Sequence, residues 1–204
     1  MPIDVKICGL KTRDEIDIVN QFPISYAGFI FAPSKRQVTT RQAKELMHSL
    51  RKDIKKVGVF VNSPIEEVLR AVKACKLDVI QLHGDESVDY IQQIPCKVWK
   101  TIPMKDASSL KQVELYGDVV DGLLFETHHE GMRGGSGKAF DWSLLEKRPK
   151  LEASLILAGG LSPENIGQAI DMVKPDVVDV NSGLEVNGYK SYERTKKLFE
   201  ELNL

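Results

Sequence analysis

Three cysteines in 204 residues, Cys8, Cys75 and Cys96, are too few and too scattered for a disulfide framework or a CxxC metal site. An odd, sparse thiol count fits a reducing compartment, and the expected location is cytoplasmic. Neither sign of charge dominates: 28 Lys and Arg stand against 29 Asp and Glu, a net of −1. That balance, with a pI near 6.4, gives no general pull toward nucleic acid or anionic membrane. Nowhere do as many as about 18 apolar residues run together, and the first ten residues, Asp4 among them, hold no apolar core of signal-peptide length. The expectation is a protein that is not exported and has neither nucleic acid nor membrane as a partner.

What is present is core-forming material: 42% of residues are hydrophobic and 28% charged. No linker, low-complexity tract or charge run divides the chain, so residues 1–204 read as one domain. Apolar runs of strand length alternate with stretches of helical period. The strands are read at Ile3–Ile7, Tyr26–Phe31, Val57–Val61, Asp78–Leu82, Lys97–Ile102, Gly122–Glu126, Ser154–Ala158 and Asp176–Val180. Helices are read from Thr12 and over Thr39–Leu50, Pro64–Cys75, Glu86–Ile94, Ala107–Tyr116, Asp141–Leu145, Pro163–Val173 and Ser191–Leu202. Ser63-Pro64 and Ser162-Pro163 each read as a capping hydroxyl before a proline in the first helical position. Short, mostly apolar strands suit a parallel sheet covered on both faces. Eight such units favour an α/β fold of the closed (β/α)8 TIM-barrel type, lean in length against a typical ~250 residues.

In such a barrel chemistry gathers where the strands end. Gly159-Gly160 after the seventh strand and Ser182-Gly183 after the eighth let backbone amides converge, which suits a phosphate monoester, although each cluster alone is also an ordinary tight turn. Gly134-Gly135-Ser136-Gly137-Lys138 lacks the first glycine and the terminal Ser or Thr of a P-loop and follows no strand; with Arg133 it reads as a mobile lid. Lys6 and Cys8, two apart on one strand, share a face, so an ammonium lies near a thiol. A thiol becomes a useful base at neutral pH when a positive neighbour favours its thiolate, but Asp179, on the strand that adjoins the first when the barrel closes, competes for Lys6. A small buried hydrophobe is the plainer reading of Cys8. Glu126, ending an apolar strand, suits a general acid with a raised pKa, or else simply opens a solvated loop. Arg36 suits bidentate capture of a carboxylate, or a solvated surface role beside Lys35. His83 has no partner at metal-ligand spacing, and adjacent His128-His129 cannot share a helical face, so no metal is expected. Cys75 and Cys96 read as structural.

Lys6-Ile7-Cys8-Gly9-Leu10, Gly28-Phe29-Ile30-Phe31 with Ser34-Lys35-Arg36, Gly58-Val59-Phe60-Val61-Asn62, Gln81-Leu82-His83-Gly84, Phe140-Asp141-Trp142, Ala158-Gly159-Gly160-Leu161 and Asp179-Val180-Asn181-Ser182-Gly183-Leu184-Glu185 come in one order along nearly the whole chain. In that order they resemble the phosphoribosylanthranilate isomerases of tryptophan biosynthesis. The resemblance implies a (β/α)8 enzyme that performs an Amadori rearrangement of N-(5-phosphoribosyl)anthranilate to 1-(2-carboxyphenylamino)-1-deoxyribulose 5-phosphate without a cofactor. Matched position by position, it implies Cys8 as general base, Arg36 on the anthranilate carboxylate, Asp179 on the sugar hydroxyls and Gly159, Gly160, Ser182 and Gly183 on the phosphate, with Lys6 and His83 among the substrate-binding groups. Two positions depart: Glu126 stands where the family usually has an Asp acid, and Asn181 where Ser is frequent. An isomerase of a related aminoimidazole ribotide, or a non-catalytic binder of sugar phosphates, are the competing readings. Nothing in the sequence separates a monomer from a homodimer, since Phe22 and Tyr116 suit either helix packing or an interface.

Overall fold

The computed structural model describes residues 3–128, 139–150 and 152–204. Strands β1 (Asp4–Ile7), β2 (Tyr26–Ile30), β3 (Lys55–Phe60), β4 (Val79–Leu82), β5 (Lys97–Met104), β6 (Gly122–Thr127), β7 (Ser154–Leu157) and β8 (Val177–Val180) pair in chain order, all parallel, and β8 closes onto β1. This is the expected eight-stranded barrel. The reading of residues 133–138 as a lid lies outside the described residues.

Around the barrel run α1 (Arg13–Val19), α2 (Thr40–His48), α3 (Ile65–Cys75), α4 (Val88–Ile91), α5 (Lys111–Tyr116), α6 (Ile166–Val173) and α7 (Tyr192–Glu201). Two of them begin with reciprocal caps. Thr12 accepts from Glu15 N while Glu15 Oε2 accepts from Thr12 N, and Thr39 and Gln42 repeat the pattern. The two Ser-Pro starts are corrected. Pro64 itself is the N-cap of α3, and its carbonyl accepts from Glu67 and Val68. Residues 162–165 form a turn ahead of α6 instead of its first coil: Asn165 Oδ1 reaches back to Ser162 N at 2.8 Å. Among the described residues of the sixth unit, the helical element is a 3-10 turn, Trp142–Lys147, capped by Asp141. The fourth helix is shorter than expected because Glu86 turns inward and the chain meets Pro95, which disfavours helix just before it.

Alternation along the strands divides the core in two. Outward residues such as Val5, Ile7, Phe29, Ile80 and Phe125 pack under the helices. Inward residues Tyr26, Val57, Val79, Trp99, Leu124, Ile156 and Val177 form a separate apolar plug inside the barrel, with Trp99 edge-on to Tyr26 at 4.8 Å between ring centres. Phe22 stacks on Phe199 and Tyr116 is buried, so both serve helix packing. Among the described residues no helix is long and apolar enough to cross a membrane.

Candidate active site

Two residues further along several of the strands the inward positions change character. Above Tyr26 comes Gly28, above Val79 comes Gln81, above Leu124 comes Glu126, and above Val177 comes Asp179, joined by Lys6 and Cys8 from β1. Of these, Cys8, Gln81, Glu126 and Asp179 line a cavity of about 580 Å³ at the C-terminal end of the barrel, closed on its sides by Arg36, His83, Gly159 and Ser182 among others.

Lys6 and Asp179 stand opposite one another in the β1–β8 register, and Lys6 Nζ donates to Asp179 Oδ2 at 2.6 Å, both groups buried. Burial pulls the Lys6 ammonium down, but Asp179 and Cys8 outweigh it and the pKa is raised. Burial likewise raises the Asp179 carboxyl against the opposing pull of Lys6. The contest for Lys6 therefore ends with Asp179 as its ion-pair partner. Burial pushes the Cys8 thiol up, and Lys6 only partly offsets this, so no preformed thiolate is stabilised. A Cβ on Gly28 would lie 2.7 Å from Cys8 Sγ, which makes glycine the residue that leaves the thiol room.

Glu126 pairs through Oε1 with His83 Nε2, so a carboxyl and an imidazole can hold a proton between them at the cavity wall. His83 is placed by a buried ionic knot. Glu86 accepts from the amides of Asn62 and Gly84, and Lys100 Nζ sits 3.3 Å from Glu86 and donates to Gly84 O at 2.6 Å. The loop after β4 is thereby fixed from behind.

Arg36 is buried rather than a solvated surface residue. Its Nε and Nη2 engage Glu185 at 2.6 and 2.7 Å, a two-point contact that leaves the Nη1 edge outside the pairing. Lys190 Nζ joins at 2.7 Å and also holds Asn181 Oδ1 at 2.8 Å. Although burial opposes it, these two cations hold the Glu185 carboxyl down at about 2. Glu185 and Lys190 come from a small antiparallel hairpin, β9 (Glu185–Val186) and β10 (Tyr189–Lys190), turned at Asn187-Gly188 with positive φ at both. Neither residue was singled out from sequence for a role. The Asn-Gly pair between apolar and aromatic residues was the signal for that hairpin. Asn181 thus serves Lys190 with its side chain.

In the loop after β7, the amides of Gly159 and Gly160 donate to no backbone group among the described residues. Gly159 has φ +83°, and a Cβ on Gly183 would lie 2.0 Å from Leu161 O, so the loops after β7 and β8 are pressed backbone to backbone. Ser182 opens a three-residue 3-10 turn at this junction. Such loops after the seventh and eighth strands commonly hold phosphate. Of the site residues read from sequence, Cys8, Arg36, His83, Glu126, Gly159, Gly160, Asp179 and Ser182 line this one cavity, while Lys6 is buried behind Asp179 and Gly183 packs against Leu161. Gln81, whose buried amide also lines it, was missed as a site residue. Among the described residues no three His, Cys, Asp or Glu side chains converge as metal ligands do.

The family model for N-(5'-phosphoribosyl)anthranilate (PRA) isomerase matches residues 5–201. The N-(5'-phosphoribosyl)anthranilate isomerase of Thermoanaerobacter pseudethanolicus is 42% identical over 201 residues, covering 98% of each chain. The crystal structure of phosphoribosyl anthranilate isomerase from Thermus thermophilus superposes with a TM-score of 0.88 at 29% identity, again over 98% of both chains. A phosphoribosyl anthranilate isomerase solved in complex with reduced 1-(o-carboxyphenylamino)-1-deoxyribulose 5-phosphate gives 0.85 at 29%, with the same coverage. With its motifs in register, its barrel closed and its cavity lined by these residues, the chain belongs to the N-(5'-phosphoribosyl)anthranilate isomerase family.

Proposed function

We infer that the chain isomerises N-(5-phosphoribosyl)anthranilate to 1-(2-carboxyphenylamino)-1-deoxyribulose 5-phosphate, with the phosphate at Gly159, Gly160, Ser182 and Gly183 and the aryl carboxylate at Arg36. The observation that carries this reading is one cavity lined by a guanidinium, an acid, a thiol and two glycine amides that have no backbone acceptor among the described residues. Glu126 delivers a proton to the ring oxygen as the C1′–O bond breaks, and the aryl nitrogen lone pair becomes the C1′=N bond of an iminium. The thiolate form of Cys8, a small fraction because burial raises the thiol's pKa, then takes the proton from C2′, and that electron pair forms C1′=C2′ while nitrogen recovers its lone pair. Protonation at C1′ and loss of the 2′-hydroxyl proton leave the ketone. No external oxidant or reductant enters. His83 holds Glu126 in place, and Lys6 and Asp179 bind the sugar chain.

The test follows the loss of anthranilate-type fluorescence as purified protein consumes freshly generated N-(5-phosphoribosyl)anthranilate. Turnover without added metal or cofactor is expected. A folded protein that fails to turn it over from mildly acidic to mildly alkaline pH would overturn the assignment, and turnover of an aminoimidazole ribotide instead would replace it.

A further inference from the structure

Inside the barrel, hydrogen-bonding groups and protein partners do not balance. Among the described residues, four buried side-chain atoms have no hydrogen-bond partner: Gln81 Oε1, Thr101 Oγ1, Asp179 Oδ1 and Trp142 Nε1. Gln81 shares its strand face with Val79, and Thr101 with Trp99, both residues of the apolar plug, so Gln81 and Thr101 also point inward. Gln81 and Asp179 line the cavity; Thr101 does not. An apolar side chain at 81 would extend the plug, whereas a buried amide oxygen without a partner lowers stability. Such a group persists where the missing partner arrives with a ligand.

The ligand's chemistry narrows which part of it Gln81 meets. Phosphate and carboxylate at neutral pH offer chiefly acceptors, and their positive or amide partners lie elsewhere around the rim. A hydroxyl both donates and accepts, so it satisfies an amide whichever way the amide is turned. Strands β4 and β8 are four steps apart in a ring of eight, so Gln81 and Asp179 face one another across the barrel. Asp179 gives one oxygen to Lys6 and keeps the other unpartnered. We propose that Gln81 is a substrate-contacting residue that binds a hydroxyl of the open-chain sugar, opposite Asp179. The assignment rests on the isomerase reading above and extends it to a fourth strand.

Gln81→Met keeps the length and removes the hydrogen bond; Gln81→Leu is the second variant should Gln81→Met fail to fold. Binding of reduced 1-(o-carboxyphenylamino)-1-deoxyribulose 5-phosphate and of inorganic phosphate is measured by calorimetry, beside thermal unfolding, with Thr101→Val as an equally unpartnered position off the cavity. The expected result is a loss of about tenfold or more in affinity for the reduced product, phosphate affinity within about twofold of the parent, and an unfolding midpoint equal to or above it. Thr101→Val should leave both affinities where they were, with an unfolding midpoint equal to or above the parent's. Unchanged affinity for the reduced product would overturn the proposal, as would parallel losses of stability and phosphate binding, which mark a structural role. A parent that binds the reduced product but shows no turnover would instead refute the isomerase reading, while the Gln81 result still decides this one.

Discussion

Two residues along β4, β6 and β8 separate an apolar plug from a polar floor within the same barrel. In the plug, Tyr26, Val57, Val79, Trp99, Leu124, Ile156 and Val177 fill the interior as one packed cluster. In the floor, Gly28, Gln81, Glu126 and Asp179 occupy the next inward positions on four of the same strands, and three buried oxygens of this inward face, on Gln81, Thr101 and Asp179, lack partners. Backbone geometry is the same in both; only the side chains differ. The plug supplies stability by burial, and the floor holds buried polar groups at a cost that burial below offsets. Function occupies the layer where the alternation rule is kept but the apolar rule is broken.

The comparison can be broken from below. Trp99→Ala removes the largest member of the plug and should lower unfolding free energy by ~3–5 kcal/mol, measured by denaturant titration, while kcat/KM per folded molecule changes by less than about threefold. It can also be broken from above. Asp179→Leu leaves the Lys6 ammonium buried without its carboxylate and should cost ~3–5 kcal/mol. The double change Lys6→Met with Asp179→Leu turns this part of the floor into more plug, and should recover much of that stability while turnover stays abolished. Recovery of both would show that the ion pair is structural only.

A smaller effect belongs to the rim. Glu185→Gln removes the carboxylate that aligns Arg36, and KM should rise by about tenfold with kcat nearly kept, since the loss falls on ground-state and transition-state binding alike. The same variant has a pH signature. The Glu185 carboxyl is held down at about 2, below its unfolded value, so its stabilising contribution is present above the ordinary carboxylate range and is lost as pH falls toward about 2. Acid unfolding curves of Glu185→Gln should therefore lack part of the parent's decline across that range.

Much of this was legible beforehand, for physical reasons. Strand periodicity and the positions of Cys8, Glu126, Asp179 and the two glycine loops follow from alternation and from where strands end. Asp179 was also legible as a partner for Lys6 from barrel closure, but whether Asp179 or Cys8 holds the ammonium was not, because that depends on the register and burial of the pair. Arg36 read as well on the surface as in the site; only the hairpin bearing Glu185 draws it inward. Gln81 was quoted within a motif but given no role, since an unpartnered amide is visible only once its surroundings are known. The Ser-Pro starts misled because the proline of the first lies one position ahead of its helix and the second pair forms a turn of its own.

The most direct test of the division is to measure turnover and unfolding free energy together for Cys8→Ala and Glu126→Gln. The account predicts kcat losses of roughly 10²–10⁴ in each variant, with stability equal to or above the parent's. Turnover close to the parent's in either variant, or an unfolding free energy that falls in step with activity, would contradict it.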